Sequence, residues 1–224
     1  QRFNMSVEEL VGLIFEMVGT VAFAISGAMV AIKKRVDVFG VVVLSAMTAL
    51  GGGIVRDILI GHLPPTMFSD YRYVMVAVIT SVIVFIVAYI FRESYQKSEK
   101  TVDAVNNIFD ALGLGVFTVM GAKVAIESGF TVNGILVVCL AVVTGVGGGL
   151  IRDVMLMEIP FVLKKRIYAV ASILGGTAYH LMYIHGVNVR ISSVIAVIVV
   201  FVVRILATIF KLDLPKVKFP KEQK

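Results

Sequence analysis

Charge and cysteine are scarce in this sequence. Only 16% of its 224 residues are Asp, Glu, Lys or Arg, and its single cysteine is Cys139. A lone cysteine inside an apolar run excludes an intrachain disulfide and any cysteine-based metal site. The histidines His62, His180 and His185 have no ligand spacing with acidic residues, so no metal site is expected. No Walker loop, HExxH, GxSxG or phosphotransfer motif occurs, which points away from an enzyme and its cofactors. Also missing is a short leading apolar run with a small-residue cleavage site, so the first hydrophobic stretch reads as a retained span.

Hydrocarbon fills the remainder. The chain is 58% hydrophobic, with a mean hydropathy of +0.96, far above the soluble norm. Apolar runs lie near residues 9–32, 38–60, 73–91, 104–126, 132–157, 167–184 and 191–210. Each is close to the roughly 20 residues that cross a bilayer, which predicts seven transmembrane helices joined by short connections.

The formal net charge of +6 belongs to topology rather than to nucleic acid, because the cations sit in alternate connections. One set holds Lys33, Lys34 and Arg35, then Arg92, Lys97 and Lys100, then Lys164, Lys165 and Arg166, and finally Lys211, Lys216, Lys218, Lys221 and Lys224. The other set holds Arg2, Arg72 and Arg190. The positive-inside rule then puts the N-terminus outside and the C-terminus in the cytoplasm.

The chain repeats itself. Gly51-Gly52-Gly53-Ile54-Val55-Arg56-Asp57 recurs as Gly147-Gly148-Gly149-Leu150-Ile151-Arg152-Asp153, and each copy follows a threonine, Thr48 or Thr144. Upstream, Phe15, Gly19, Phe23, Gly27, Ala28 and Ala31 recur at the same spacing as Phe109, Gly113, Phe117, Gly121, Ala122 and Ala125. Pro64 and Pro160 stand eleven residues after Gly53 and Gly149. The expected units are residues 9–92 and 103–185, with residues 190–224 forming a seventh helix and a basic tail. An odd helix count per unit sends the second copy through the membrane from the opposite side, giving an all-α inverted repeat.

Three successive glycines favour a broken or bent helix, and a break in lipid survives only against protein or a wet cavity. An Arg-Asp pair beyond the break adds a cost that a purely structural segment avoids. Helices 2 and 5 enter from opposite sides, which sends Arg56 and Asp57 toward the outer side and Arg152 and Asp153 toward the inner. Neighbours on a helix diverge by about 100°, so each arginine is expected to find its partner elsewhere than on its own aspartate. One reading is a polar path for an ion or small solute; the other is pinning salt bridges with glycines for close packing. Ser26, Ser45, Thr48 and Thr144 can offer oxygens to a cation or bond their own backbone. Lys123 either snorkels to the interface or acts as a charged plug. Glu16 and Asp110 follow the matched phenylalanines and read as helix-start dipole partners or interfacial residues, or else as pore groups. Arg204, near the tail, reads as a contact for anionic lipid. Gly27 and Gly121, each four residues before an alanine, permit a close helix contact within or between protomers.

Two three-helix repeats, each with GGGxxRD on its second helix, plus a seventh helix resemble the TRIC family of trimeric intracellular cation channels, in particular its prokaryotic branch. The resemblance runs from about Phe15 to the end of the seventh helix. It implies a homotrimer in the plasma membrane, each protomer holding its own pore for potassium and some sodium. It also implies that helices 2 and 5 bend at Gly51, Gly52, Gly53, Gly147, Gly148 and Gly149 and line that pore, with Arg56, Asp57, Arg152 and Asp153 nearby. The animal lysine motif on helix 4 is absent around Lys123, so lipid regulation is not carried over. A rival reading, a gradient-driven transporter of a glycine-type solute, is favoured by inverted repeats with broken helices.

Overall fold

The computed structural model describes residues 7–164 and 167–212. Arg2, Lys165, Arg166, Lys216, Lys218, Lys221 and Lys224 of the topology argument lie outside the described residues.

Among the described residues, seven long helices carry the fold: α1 Val7–Lys33, α2 Val38–Leu59, α3 Tyr71–Ile90, α4 Glu99–Ala125, α5 Gly134–Met155, α6 Ile167–Ile184 and α7 Val189–Ile209. All seven are long and apolar enough to cross a membrane. One-turn helices, Thr66–Ser69 and Phe161–Lys164, follow α2 and α5, and a π-helical turn, Ile126–Phe130, extends α4. The two repeats match down to their ends. Asp37 accepts from Gly40 N at 2.8 Å to cap α2, and Asn133 accepts from Leu136 N at 3.1 Å to cap α5. After α2 the chain turns through left-handed Gly61 (φ 74°), and after α5 through Met157 (φ 55°) at the matching place. Asp70 caps α3, and the Arg72 side chain bonded to it holds its carboxyl below the usual range.

The two halves meet through equivalent residues. Phe23 of α1 stacks on Phe117 of α4, ring centroids 5.2 Å apart. Where α2 crosses α5, a Cβ on Gly52 would overlap the carbonyl oxygen of Thr144, and one on Gly148 would overlap that of Thr48. Reciprocal contacts of this kind are what a two-fold relation between the repeats produces. Phe23, Leu50, Leu114, Phe117, Met120 and Val146 form the core around this crossing. Exposed isoleucines and valines of α3 and α7, such as Ile79, Ile83, Ile195 and Val202, supply the lipid-facing surface expected of membrane spans.

The expected break is not there. Both α2 and α5 stay helical through their glycines. The residues give up side chains so that two backbones can touch, and in lipid an intact hydrogen-bond ladder avoids unsatisfied groups. Gly27 and Gly121 serve the same end inside the protomer. A Cβ on Gly27 would lie 2.8 Å from Ser45 Cα, and one on Gly121 would lie 2.8 Å from Ala141 Cα.

Ion pairs gather the basic connections at one end. Lys33 reaches Glu99 at 2.9 Å and Asp103 at 2.8 Å, and Lys34 pairs with Glu158 after α5. The loops after α1, α3 and α5 therefore share a side, as the alternating charges require.

Gly52→Ala and Gly148→Ala are each expected to cost about 1–3 kcal/mol or more, since a methyl group would meet backbone rather than a movable side chain. Gly53→Ala should be near neutral, because its nearest neighbour is the Arg56 Nη2 at 3.8 Å. Thermal unfolding in detergent, followed by size-exclusion elution, checks the contrast.

Candidate functional site

Each half builds a charged cluster from the same positions. In the first half, Arg56 and Asp57 stand in the last turn of α2. Arg56 Nε donates to Asp57 Oδ1 at 2.8 Å, and Asp57 Oδ2 accepts from the backbone of Thr66 at 2.8 Å. Glu16 of α1 accepts from the hydroxyl of Tyr73 on α3. These groups line a cavity of about 520 Å³, together with Thr20, Gly53, His62 and the apolar faces of Phe117 and Met120. Glu127 also lines it and pairs with Lys123 at 3.6 Å, both side chains partly exposed.

In the second half, Arg152 Nε donates to Asp153 Oδ1 at 2.9 Å, and Asp153 Oδ2 accepts from the backbone of Phe161 at 2.7 Å. Asp110 of α4 takes the place of Glu16, and Tyr168 of α6 the place of Tyr73, with hydroxyl and carboxylate 3.4 Å apart. Two further partners distinguish this half. Arg152 Nη1 donates to Ser26 Oγ of α1 at 2.8 Å and to Asp110 Oδ1 at 3.1 Å. Arg204 of α7 lies 3.5 Å from Asp110 Oδ2, donates to Asn107 Oδ1 at 3.1 Å, and covers the Tyr168 ring at 4.7 Å. This cluster is sealed: Arg152 is 0% and Arg204 2% exposed.

Several expectations are corrected by this geometry. Each arginine does bind the aspartate beside it. The long guanidinium side chain wraps back across the helix surface, while the short carboxylate points past the helix end to cap the next segment. Arg204 faces protein rather than lipid headgroups, because Asp110 and the Tyr168 ring give a buried guanidinium two partners. Glu16 and Asp110 sit well inside helices that begin at Val7 and Glu99, so the helix-start dipole role falls away. Thr48 and Thr144 donate to Leu44 O and Leu140 O of their own helices, each at 2.6 Å, and Ser45 donates to Ala24 O of α1 at 2.6 Å. Among the six motif glycines, Gly53 lines the cavity, while Gly51, Gly52, Gly147 and Gly148 lie against the opposite helix. Sequence reading missed Tyr73, Tyr168 and Asn107. The tyrosines carried a usable signal, since they stand near the starts of the third helix of each repeat, one place apart in register.

The two clusters differ in formal charge. In the first, the carboxylates of Glu16, Asp57 and Glu127 outnumber the cations Arg56 and Lys123 among the described residues. In the second, Arg204 brings the acids Asp110 and Asp153 into balance with the arginines. Asp110→Asn leaves two buried guanidiniums short of a counter-charge and is expected to cost about 3–5 kcal/mol of stability. Glu127→Gln, at an exposed pair, should cost about 0–1 kcal/mol. Unfolding of the two variants in detergent against the parent checks the difference.

Known proteins carry the same plan. A family model described as glycine transporter matches residues 13–89 and 107–184. The UPF0126 inner membrane protein YadS of Escherichia coli (strain K12) is 37% identical over 204 residues, covering 89% of this chain and 93% of its own. A UPF0126 membrane protein of Deinococcus radiodurans is 37% identical over 188 residues, covering 83% of each chain. Among solved structures, a TRIC cation channel aligns with a TM-score of 0.79 at 36% identity, over 92% of this chain and 97% of that one. The TRIC trimeric intracellular cation channel orthologue from Rhodobacter sphaeroides aligns at 0.80 and 28% identity, over 90% and 99%.

Proposed function

The chain belongs to the TRIC family of multi-pass membrane proteins, and on that premise we propose that it is a passive channel for monovalent cations, potassium first and sodium second. The observation that carries this reading is the pair of matched Arg-Asp clusters flanking the α2–α5 crossing, one of them opening onto the 520 Å³ cavity. The path runs inside the protomer, along α2 and α5, past Gly53, Arg56 and Asp57 toward Ser26, Arg152 and Asp153. A guanidinium repels a cation unless an acid offsets it; Asp57 and Asp153 do so here. Glu127 lines the cavity and, paired with Lys123, shapes its field rather than its bore.

Three protomers form the assembly, after the trimeric structure to which the chain is similar. The N-terminus faces outside and the C-terminus the cytoplasm, as the basic connections gathered by Lys33 and Lys34 favour. The membrane is the plasma membrane of a prokaryotic cell, in keeping with an inner-membrane relative.

A transporter of a small zwitterionic solute is the second reading. It is favoured by a cavity of ligand size that presents a guanidinium and a carboxylate together, and by the description of the family model.

Planar bilayers holding the purified protein separate the two. Discrete single-channel steps with a cation-selective reversal potential are expected. Arg56→Ala should raise cation conductance severalfold, and Asp57→Asn should lower it. Absence of steps from folded protein, with saturable uptake of labelled glycine into vesicles, would establish the transporter instead. Unchanged conductance in both variants would remove Arg56 and Asp57 from the path.

A further inference from the structure

The two halves share a ground plan, yet one is open and the other shut. Glu16 and Tyr73 are partly exposed and line a cavity with the buried Arg56 and Asp57, whereas their counterparts Asp110, Arg152, Asp153 and Tyr168 are all buried. Two differences account for this. Ser26 of α1, a hydrogen-bond partner for Arg152, corresponds in the second repeat to Met120, which lends Arg56 no such bond. The larger difference is α7, which has no counterpart in the first repeat and packs against α4 and α6. It delivers Arg204 onto the acid and the aromatic ring that in the first half border the cavity.

We propose that Arg204 is the plug of the second half: a tethered cation that occupies the place of a permeant one and holds the path closed at that end. The proposal rests on the conduction path described above. Its logic is electrostatic as well as steric. Asp110, buried and acidic, is a natural resting point for a cation moving through the protein. While Arg204 and Arg152 both lie against Asp110, that carboxylate has no net attraction left for a mobile ion. Arg152, held between Asp110 and Ser26, then bridges α5 to α4 and α1 and keeps the two repeats together. Arg204 suits this role because stacking on Tyr168 and a bond to Asn107 hold its flat guanidinium in one orientation. Lifting α7 away from α4 and α6 withdraws the plug without breaking the Arg152–Asp153 pair.

The test reads water access at Ser26 and conduction side by side. Ser26→Cys is introduced with Cys139→Ala, and its reaction with a membrane-impermeant, cationic thiol reagent is timed in reconstituted vesicles. With Arg204 in place the thiol should react slowly. With Arg204→Gln it should react at least about tenfold faster, as a modest shift in a two-state equilibrium gives, and potassium current should rise. Arg204→Lys, which keeps the charge but loses the planar stacking on Tyr168, should fall between the parent and Arg204→Gln. Should Arg204→Gln fold poorly, Arg204→Gln with Asp110→Asn removes both charges and should also expose the thiol. Unchanged labelling in folded Arg204→Gln protein overturns the plug, as does equal acceleration by Arg204→Lys. Accelerated labelling in a protein that passes no cations keeps the seal and overturns the conduction reading alone.

Discussion

Everything in this structure depends on a backbone-to-backbone contact. At the crossing of α2 and α5, Gly52 meets the Thr144 carbonyl and Gly148 meets the Thr48 carbonyl, with no room for a side chain on either. In lipid, apolar burial gives little reason for two helices to associate, because hydrocarbon surrounds them either way. Close packing of small residues supplies the attraction instead, and the reciprocal contact fixes how one repeat lies on the other. The Phe23–Phe117 stack and the close approaches at Gly27 and Gly121 follow from the same geometry.

Once the crossing is set, the charges fall into place. Each Arg-Asp pair begins three residues beyond its glycines, at the end of a helix, where the aspartate caps the segment that follows. A third-helix tyrosine steadies a first-helix acid in both halves. Symmetry alone would make two equal vestibules. The seventh helix breaks that equality by bringing Arg204 to Asp110, so that a channel of two similar halves has one accessible side and one sealed side.

Much of the fold was legible in the residues. Seven apolar runs, the doubled motif and the alternating basic connections led to the all-α inverted repeat, and the solved structures of similar sequence share that architecture. Reading Gly51 to Gly53 as a break failed because glycine permits both a break and a close approach, and one sequence cannot distinguish them. The same holds for Arg56 and Arg152. Their spacing from Asp57 and Asp153 argued against pairing, while the reach of a guanidinium side chain, visible only in three dimensions, allowed it.

Sequence by itself determined what recurs along the chain: span lengths, the sidedness of charge, and which positions of one repeat answer to which of the other. These are periodic properties, and a bilayer imposes them on any chain that crosses it. Only the tertiary structure decided what meets across the repeats. That Ser26 serves Arg152, that Arg204 leaves the lipid for Asp110, and that one cluster opens while its twin closes are contacts between residues far apart in sequence. Such contacts depend on how closely two backbones approach, a distance that no pattern of residue types records.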